Sequence, residues 1–343
     1  MMKSCRKFCS RLFSKQLALV MAVVLFLPCI SGCKSIGSKK EITAIKIGIA
    51  VYDQYDVFIS SLVNKFNEFA SDKSASSGVT ISVEIMNSAG SQLTQNNQVK
   101  SMINSDYDII CVNLVDRTEP SYIIELAKET DTPVIFFNRE LVSEDLERWE
   151  KLYYVGAKAY ESGVLQGELI SDYWNSNADA DKNKDGIMQY IIIEGEAGHQ
   201  DAIVRTEYAT DTLTENGISI EKIDYAIANW NRDQAKAKMK QILAQNEAAE
   251  IIICNNDMMA IGVIDAYEET HTPRSSRPAI FGIDGVKETL PYLEEGKLTA
   301  TVINDHVGQA DAMMELAFSV ATGTDLTSYT LEDGKYIWIP YTK

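Results

Sequence analysis

The chain has 343 residues and carries 32 Lys and Arg against 49 Asp and Glu, a net charge of −17. That acidity argues against a nucleic-acid partner, whose phosphates would be repelled, and suits a soluble exported protein. The length provides for about two domains with buried cores.

Residues 1–32 hold Lys3, Arg6, Lys7, Arg11 and Lys15 and no acid, and the apolar stretch from Leu17 to Leu27 follows them. A positive flank, a short apolar core and small residues before the cut make an export signal; the stretch is short for a membrane span. Ile30-Ser31-Gly32-Cys33 resembles a bacterial lipobox, whose Cys becomes the lipidated first residue. Residues 1–32 are therefore expected to be a lipoprotein signal peptide and 33–43 a polar tether on a lipid anchor, with a plain signal cut nearby as the alternative. Losing five positive charges and no negative ones takes the mature chain from −17 to about −22. Cys5, Cys9 and Cys29 leave with the signal. Cys111 and Cys254 sit in apolar strand-like runs with no CxxC or Cys/His spacing, so they are expected to be core thiols.

Beyond residue 43, short β-rich runs alternate with helical ones. Ile45 to Val51, Val79 to Met86, Ile109 to Val112 and Val134 to Phe137 read as strands, and Phe58, Leu62, Phe66 and Phe69 fall at helical spacing between the first two. Further strands are expected near Tyr190 to Ile193, Tyr225 to Ala228, Ile251 to Cys254, Ala279 to Ile283 and Leu298 to Ile303. Ser71 to Gly78 and Ala178 to Asp185 read as solvent loops. Such alternation predicts an α/β protein of doubly wound parallel sheets, and the strands are too many for one sheet, hence two lobes.

In open α/β sheets, ligands bind beyond the carboxyl ends of the strands. Asp56 and Phe58 follow the first strand, Asn113 the third, and His199, Asp201 and Arg205 the strand after the acidic loop; Trp230, Asn256, Asp284 and Asn304 follow successive later ones. Each has a bland reading: Phe58 as core, Trp230 as a partly buried anchor, His199 as a turn cap, Arg205 paired with Asp201 at i+4. Together they match a pyranose, whose hydroxyls need carboxylates, Arg and amides and whose C–H faces pack on aromatic planes such as Phe58 and Trp230. Asp181, Asn183, Asp185, Gly186, the Ile187 carbonyl and Gln189 follow the first nine positions of a calcium loop, yet the twelfth is Ile192, so locally the run also reads as a solvated Asx-rich turn.

The matching segments include Val51-Tyr52 through Phe58, Asn113-Leu114-Val115-Asp116, Val134 to Asn138, Tyr153 to Gly156, Asp181 to Gln189, Gly195 to Arg205, Asn255-Asn256-Asp257, Phe281 to Asp284 and Val302 to Asp305. Along nearly its whole mature length the chain resembles the galactose/glucose-binding proteins of bacterial ABC sugar importers, of the type I periplasmic-binding-protein fold. The resemblance implies two doubly wound parallel-sheet lobes joined by a hinge, 44–131 plus 304–336 forming one and 132–303 plus 337–343 the other, with crossings near Asp131 to Phe136, around Ile303 and near the C-terminus. It carries the family's sugar contacts onto Asp56, Phe58, Asn113, His199, Asp201, Arg205, Trp230, Asn256, Asp284 and Asn304. It also places a structural Ca2+ on Asp181, Asn183, Asp185, Ile187, Gln189 and, from a distant strand, Glu250.

The implied function is that of an extracytoplasmic lipoprotein, on the cell surface or in the periplasm, that captures D-galactose or D-glucose as a monomer and delivers it to an ABC permease. A surface sugar sensor docking to a chemoreceptor or receptor kinase is the alternative. An enzyme is disfavoured: there is no G-x-S-x-G, G-x-x-x-x-G-K or H-E-x-x-H, although Asp56 and Asp284 suggest a glycosidase pair.

Overall fold

The computed structural model describes residues 42–245 and 248–343. The expected signal peptide over 1–32, the lipidation candidate Cys33 and the tether up to residue 41 lie outside the described residues. In chain order the elements are β1 (Ala44–Val51), α1 (Val57–Ser77), β2 (Thr80–Asn87), α2 (Gln92–Asn104), β3 (Ile109–Val112), α3 (Ser121–Thr130), β4 (Val134–Phe137), α4 (Ser143–Leu146) and β5 (Leu152–Gly156). There follow α5 (Ala159–Ser176), β6 (Met188–Glu194), α6 (Gln200–Glu215), β7 (Ile220–Ile227), α7 (Arg232–Ala244), β8 (Ile251–Cys254), α8 (Asp257–Glu269), β9 (Ala279–Asp284), α9 (Leu290–Glu294), β10 (Ala300–Ile303), α10 (His306–Thr322) and β11 (Tyr336–Trp338).

The strands form two sheets, β11-β5-β4-β3-β1-β2 and β10-β9-β8-β6-β7, with every neighbouring pair parallel. Side chains alternate across a strand. Ile45, Ile47, Ile49 and Val51 of β1 therefore bury with Phe58, Leu62 and Phe66 of α1 and Met313 and Leu316 of α10, while Ala50 faces Ile110, Val112, Val134 and Phe136 on the other side. The second sheet has the same two-faced core, around Ile191, Ile193 and Ile252 on one face and Ile192, Ile253 and Phe281 on the other. Each large side chain taken fully out of water contributes about 1.5–3 kcal/mol, so burial on both faces holds the central strands in place while the parallel hydrogen-bond ladder sets their register. Cys111 and Cys254 are free, fully buried members of these cores.

Two expectations are corrected. The lobe boundary does not fall at 131/132 or at 336/337: β4, β5 and β11 all pair into the first sheet, because Val134 continues the ladder from Ile110 and Tyr336 that from Tyr154. The first crossing therefore lies between Gly156 and Ala159, the second just after Ile303, and the third after Trp338, where Thr342 bridges to Ile303. Nor is Ser71 to Gly78 a loop. The helix α1 runs on to Ser77, with the Ser76 and Ser77 hydroxyls donating to the carbonyls of Asp72 and Lys73 within the helix instead of capping a turn. Gly78, at φ 73°, ends it with a left-handed cap whose amide bonds to the Ser74 carbonyl.

Each sheet reverses its strand order once, between β1 and β3 and between β6 and β8. At such a switch point the outgoing connections run to opposite faces and leave a crevice at the strand tips.

Candidate functional site

A small cavity, about 30 Å³, lies between the carboxyl ends of the two sheets. Tyr52, Asp56, Phe58, Ile59, Asn138 and Arg139 line it from the first, and His199, Asp201, Arg205, Trp230, Asn256 and Asp284 from the second, with Asn304 on the second crossing. Nine of the ten expected sugar contacts are thus brought together. Asn113 is not on the wall: it is fully buried, and its amide donates to the Phe137 carbonyl and to Asn138 Oδ1, both at 3.1 Å.

Many of these side chains are placed by helix capping. Asp56 caps α1, its Oδ1 accepting from Ile59 N at 3.0 Å while Oδ2 accepts from the Tyr52 hydroxyl at 2.5 Å. Asn256 caps α8 by accepting from Met259 N at 2.9 Å. His199 caps α6, its Nδ1 accepting from Asp201 N at 3.1 Å. Burial holds the His199 imidazole down to about 4, against the pull of Asp201, so it is neutral at physiological pH. The bland reading of each residue and its presence on the cavity wall are the same fact: an Ncap side chain sits where a helix begins, and here the helices begin at the cleft.

Arg205 is the electrostatic centre. Its side chain is 4% exposed; Nη1 donates to the Asn255 carbonyl at 2.8 Å and Nη2 to the Tyr341 hydroxyl at 3.0 Å. Asp201 stands 3.6 Å away and Asp284 3.8 Å away. Burial works against the guanidinium's charge, but Tyr341, Asp201 and Asp284 hold its pKa above the ordinary value. Burial pushes the Asp284 carboxyl well up, with Arg205 opposing. Arg205 Nε and Asn113 Oδ1 are buried without any hydrogen-bond partner in the chain, one a donor and the other an acceptor.

Trp230 packs its ring on Gly195, at the end of β6, so closely that a Cβ there would lie 2.2 Å from the nearest ring carbon. His199 meets the indole edge-on, with centroids 5.2 Å apart, and the Arg205 guanidinium lies 5.7 Å from its centre. Phe58 is both core and wall: 6% exposed, it also meets His306 edge-on.

Tyr52, Ile59, Asn138 and Arg139 line the cavity without having been assigned a contact from sequence. Asn138 and Arg139 directly follow β4, the position that singled out the other candidates, so the rule of strand tips would have found them. Arg139 Cζ sits 3.9 Å over the Tyr52 ring, and its Nη2 reaches Glu196 at 2.8 Å.

In the acidic loop, Asp181 accepts from the amides of Lys184, Asp185 and Gly186. The side chains of Asn183, Asp185 and Gln189 are joined at 2.8–3.2 Å. Glu250, 4% exposed, accepts from Lys182 N and Gln189 N and so ties the loop to the start of β8. Asp181, Asp185 and Glu250 do not converge as a three-acid metal group among the described residues. The donor set is nonetheless all oxygen once the two amides are turned, which suits a hard cation.

A model of the periplasmic binding protein domain matches residues 47–325. The chain is 35% identical, over 86% of its length and 88% of the relative's, to the D-galactose/methyl-galactoside binding periplasmic protein MglB of Haemophilus influenzae. It is 30% identical to a putative rhizopine-binding protein of Rhizobium meliloti, over 81% and 84% of the two chains. Among solved structures, an ABC transporter solute binding protein from Bacillus halodurans with bound myo-inositol superposes with a TM-score of 0.73 at 25% identity, covering 88% of this chain and 95% of that one.

Proposed function

This chain belongs to the periplasmic-binding-protein family, a family of binding proteins and not of enzymes, and on that premise we propose that it captures D-galactose or D-glucose in the cleft and delivers it to an ABC sugar permease. The observation that carries this reading is the balance of charge on the cavity wall. Asp56, Asp201 and Asp284 stand against Arg139 and Arg205, with His199 neutral and amides from Asn138, Asn256 and Asn304. An anionic ligand would meet three acidic side chains and a cationic one two guanidinium groups. A neutral polyol satisfies both sets, since each hydroxyl donates and accepts. Arg205 Nε gains an acceptor in such a complex, and Trp230 packs on a pyranose face.

Binding is completed by closure. With residues contributed from both sheets and three crossings between them, the two lobes hinge over the ligand and present a ligand-dependent shape to a membrane partner. The permease is favoured over a chemoreceptor because the Bacillus halodurans structure that this chain resembles is named as the solute binding protein of an ABC transporter. In the acidic loop, Asp181, Asn183, Asp185, the Ile187 carbonyl, Gln189 and Glu250 would hold a calcium ion, which supplies a charge that offsets their repulsion and stiffens the start of β6. Cys33 would carry the lipid that keeps the mature protein at the membrane.

The test is a calorimetric titration of the protein lacking residues 1–33 against D-galactose, D-glucose and myo-inositol. One-to-one binding of a hexose is expected. Trp230→Ala should weaken it by about 1–3 kcal/mol and abolish the ligand-induced fluorescence change. No heat with either hexose would sink the specificity.

A further inference from the structure

Arg139, a residue of the cavity wall, also holds a contact with Glu196, which does not line the cavity. Arg139 follows β4 in the first lobe and Glu196 follows β6 in the second, and their side chains pair at 2.8 Å with 5% and 43% exposure. Among the described residues it is the ion pair that joins the two lobes away from the crossing segments. We propose that this pair is a clamp across the cleft that sets how long the closed form retains its ligand, coupled to the ligand-facing carboxylate Asp56 through Tyr52. The inference rests on reading the cleft as a sugar site.

Arg139 is fixed within its own lobe. Its Nη1 donates to the Val115 carbonyl at 2.6 Å, and its guanidinium covers the Tyr52 ring at 3.9 Å. The Tyr52 hydroxyl donates in turn to Asp56 Oδ2 at 2.5 Å. A ligand hydroxyl that orders Asp56 therefore also orders the surface on which the Arg139 guanidinium lies. Glu196 arrives from the other lobe, on the turn that runs through His199 into α6, the helix that bears Asp201 and Arg205. Next to it, Gln200 Nε2 donates to Glu140 Oε2 at 3.2 Å, a second contact across the same rim. The loop after β4 thus grips the helix start that carries three residues of the polar wall, His199, Asp201 and Arg205. Because both contacts require closed lobes, their free energy adds to the closed population and so to apparent affinity.

The experiment is a double-mutant cycle of Glu196→Gln, Arg139→Gln and the pair, with D-galactose binding followed by calorimetry and stopped-flow fluorescence, and small-angle scattering of the sugar-free protein. Glu196 is half-exposed, so its variant folds as the parent does. Each single variant should weaken D-galactose roughly three- to tenfold, mostly through faster release, and the double variant no more than the weaker single. Raising the salt concentration should weaken the parent and leave Glu196→Gln unmoved. Sugar-free Glu196→Gln should show a larger radius of gyration than the parent. Unchanged affinity for Glu196→Gln, or losses that simply add in the double variant, would overturn the clamp. If the parent itself binds no D-galactose, the sugar reading fails and the scattering comparison decides the clamp alone, an unchanged radius overturning it.

Discussion

Gly195→Ala tests whether Trp230 is the wall against which a ligand stacks. A Cβ at Gly195 would fall 2.2, 2.3 and 2.4 Å from three carbons of the indole ring. Ordinary contact is about 3.5–4.0 Å, so the ring must retreat by more than an ångström. It has little freedom to do so gently: Asn229 and Trp230 both hold positive φ, 49° and 60°, and the far edge of the indole meets His199. Overpacking of this kind costs roughly 1–3 kcal/mol. If the displaced indole no longer lies flat on a sugar ring, D-galactose affinity should fall about ten- to hundredfold. Titration calorimetry reads the loss, tryptophan fluorescence the altered environment, and thermal melting shows that the fold is retained. In a Trp230→Ala background the methyl group meets no ring, so Gly195→Ala should then add no further loss. Parent-like affinity in Gly195→Ala, or equal losses in both backgrounds, would refute the stacking role.

Other outcomes follow from the acidic loop, the anchor and the buried imidazole. A chelator should lower the melting temperature and calcium restore it, with about 2.7 kcal/mol of stabilisation at a hundredfold excess over the dissociation constant; Glu250→Gln should lose that response and keep sugar binding, whereas identical melts with and without calcium would leave a solvated turn. Cys33→Ala should move the protein from the membrane to the soluble fraction, and unchanged membrane association would point to an uncut signal. His199 titrates near 4 in the fold and near 6.5 when unfolded, so the unfolded chain takes the proton first. Stability present above pH 6.5 should therefore drop by about 3 kcal/mol as the pH falls to 4, and denaturant titrations of His199→Gln should lack that part of the slope.

The parallel sheets were legible because buried strands such as Ile251–Cys254 are unbroken apolar runs bounded by polar residues, and the cavity wall because its residues stand at strand tips or on the turns and helix starts that follow, from Asp284 at the end of β9 to Arg205 within α6. What stayed hidden depends on pairing. Nothing in Val134–Phe137 or Leu152–Gly156 says which of two sheets they join, since both cores are built from the same Ile, Val and Phe; the partner across the ladder decides. Serine-rich sequence likewise read as loop at Ser71 to Ser77, where the hydroxyls of Ser76 and Ser77 turn back onto carbonyls within the helix and Lys73 pairs with Glu315 of α10. Asn113 was placed correctly at a strand tip, yet its amide bonds to Asn138, which lines the cavity while Asn113 does not, a relation that spacing along the chain does not carry.

The cleft also shows where the fold departs from its easiest backbone. Asn138, Trp230 and Asp284 all line the cavity, and all hold positive φ, 62°, 60° and 125°. Glycine meets that need at helix ends such as Gly78 and Gly323, and other side chains hold positive φ in turns such as those at Asp106, Asp131 and Lys184. A side chain in such a conformation costs of order 1–3 kcal/mol, so three of them around one cavity are held there by what surrounds them. The Asp284 turn shows how. Asp257, fully buried with its carboxyl pushed up to about 7 by that burial, accepts from Val286 N at 3.1 Å and from the Thr301 hydroxyl at 2.6 Å. Gly282 leaves the room that Asp257 needs, since a Cβ there would lie 2.1 Å from its Oδ1. An acid from α8, a hydroxyl from β10 and a glycine in β9 thus converge behind one residue of the wall. The local cost is met by rigid neighbours, and what it secures is an acceptor already aimed into the cleft before any ligand arrives.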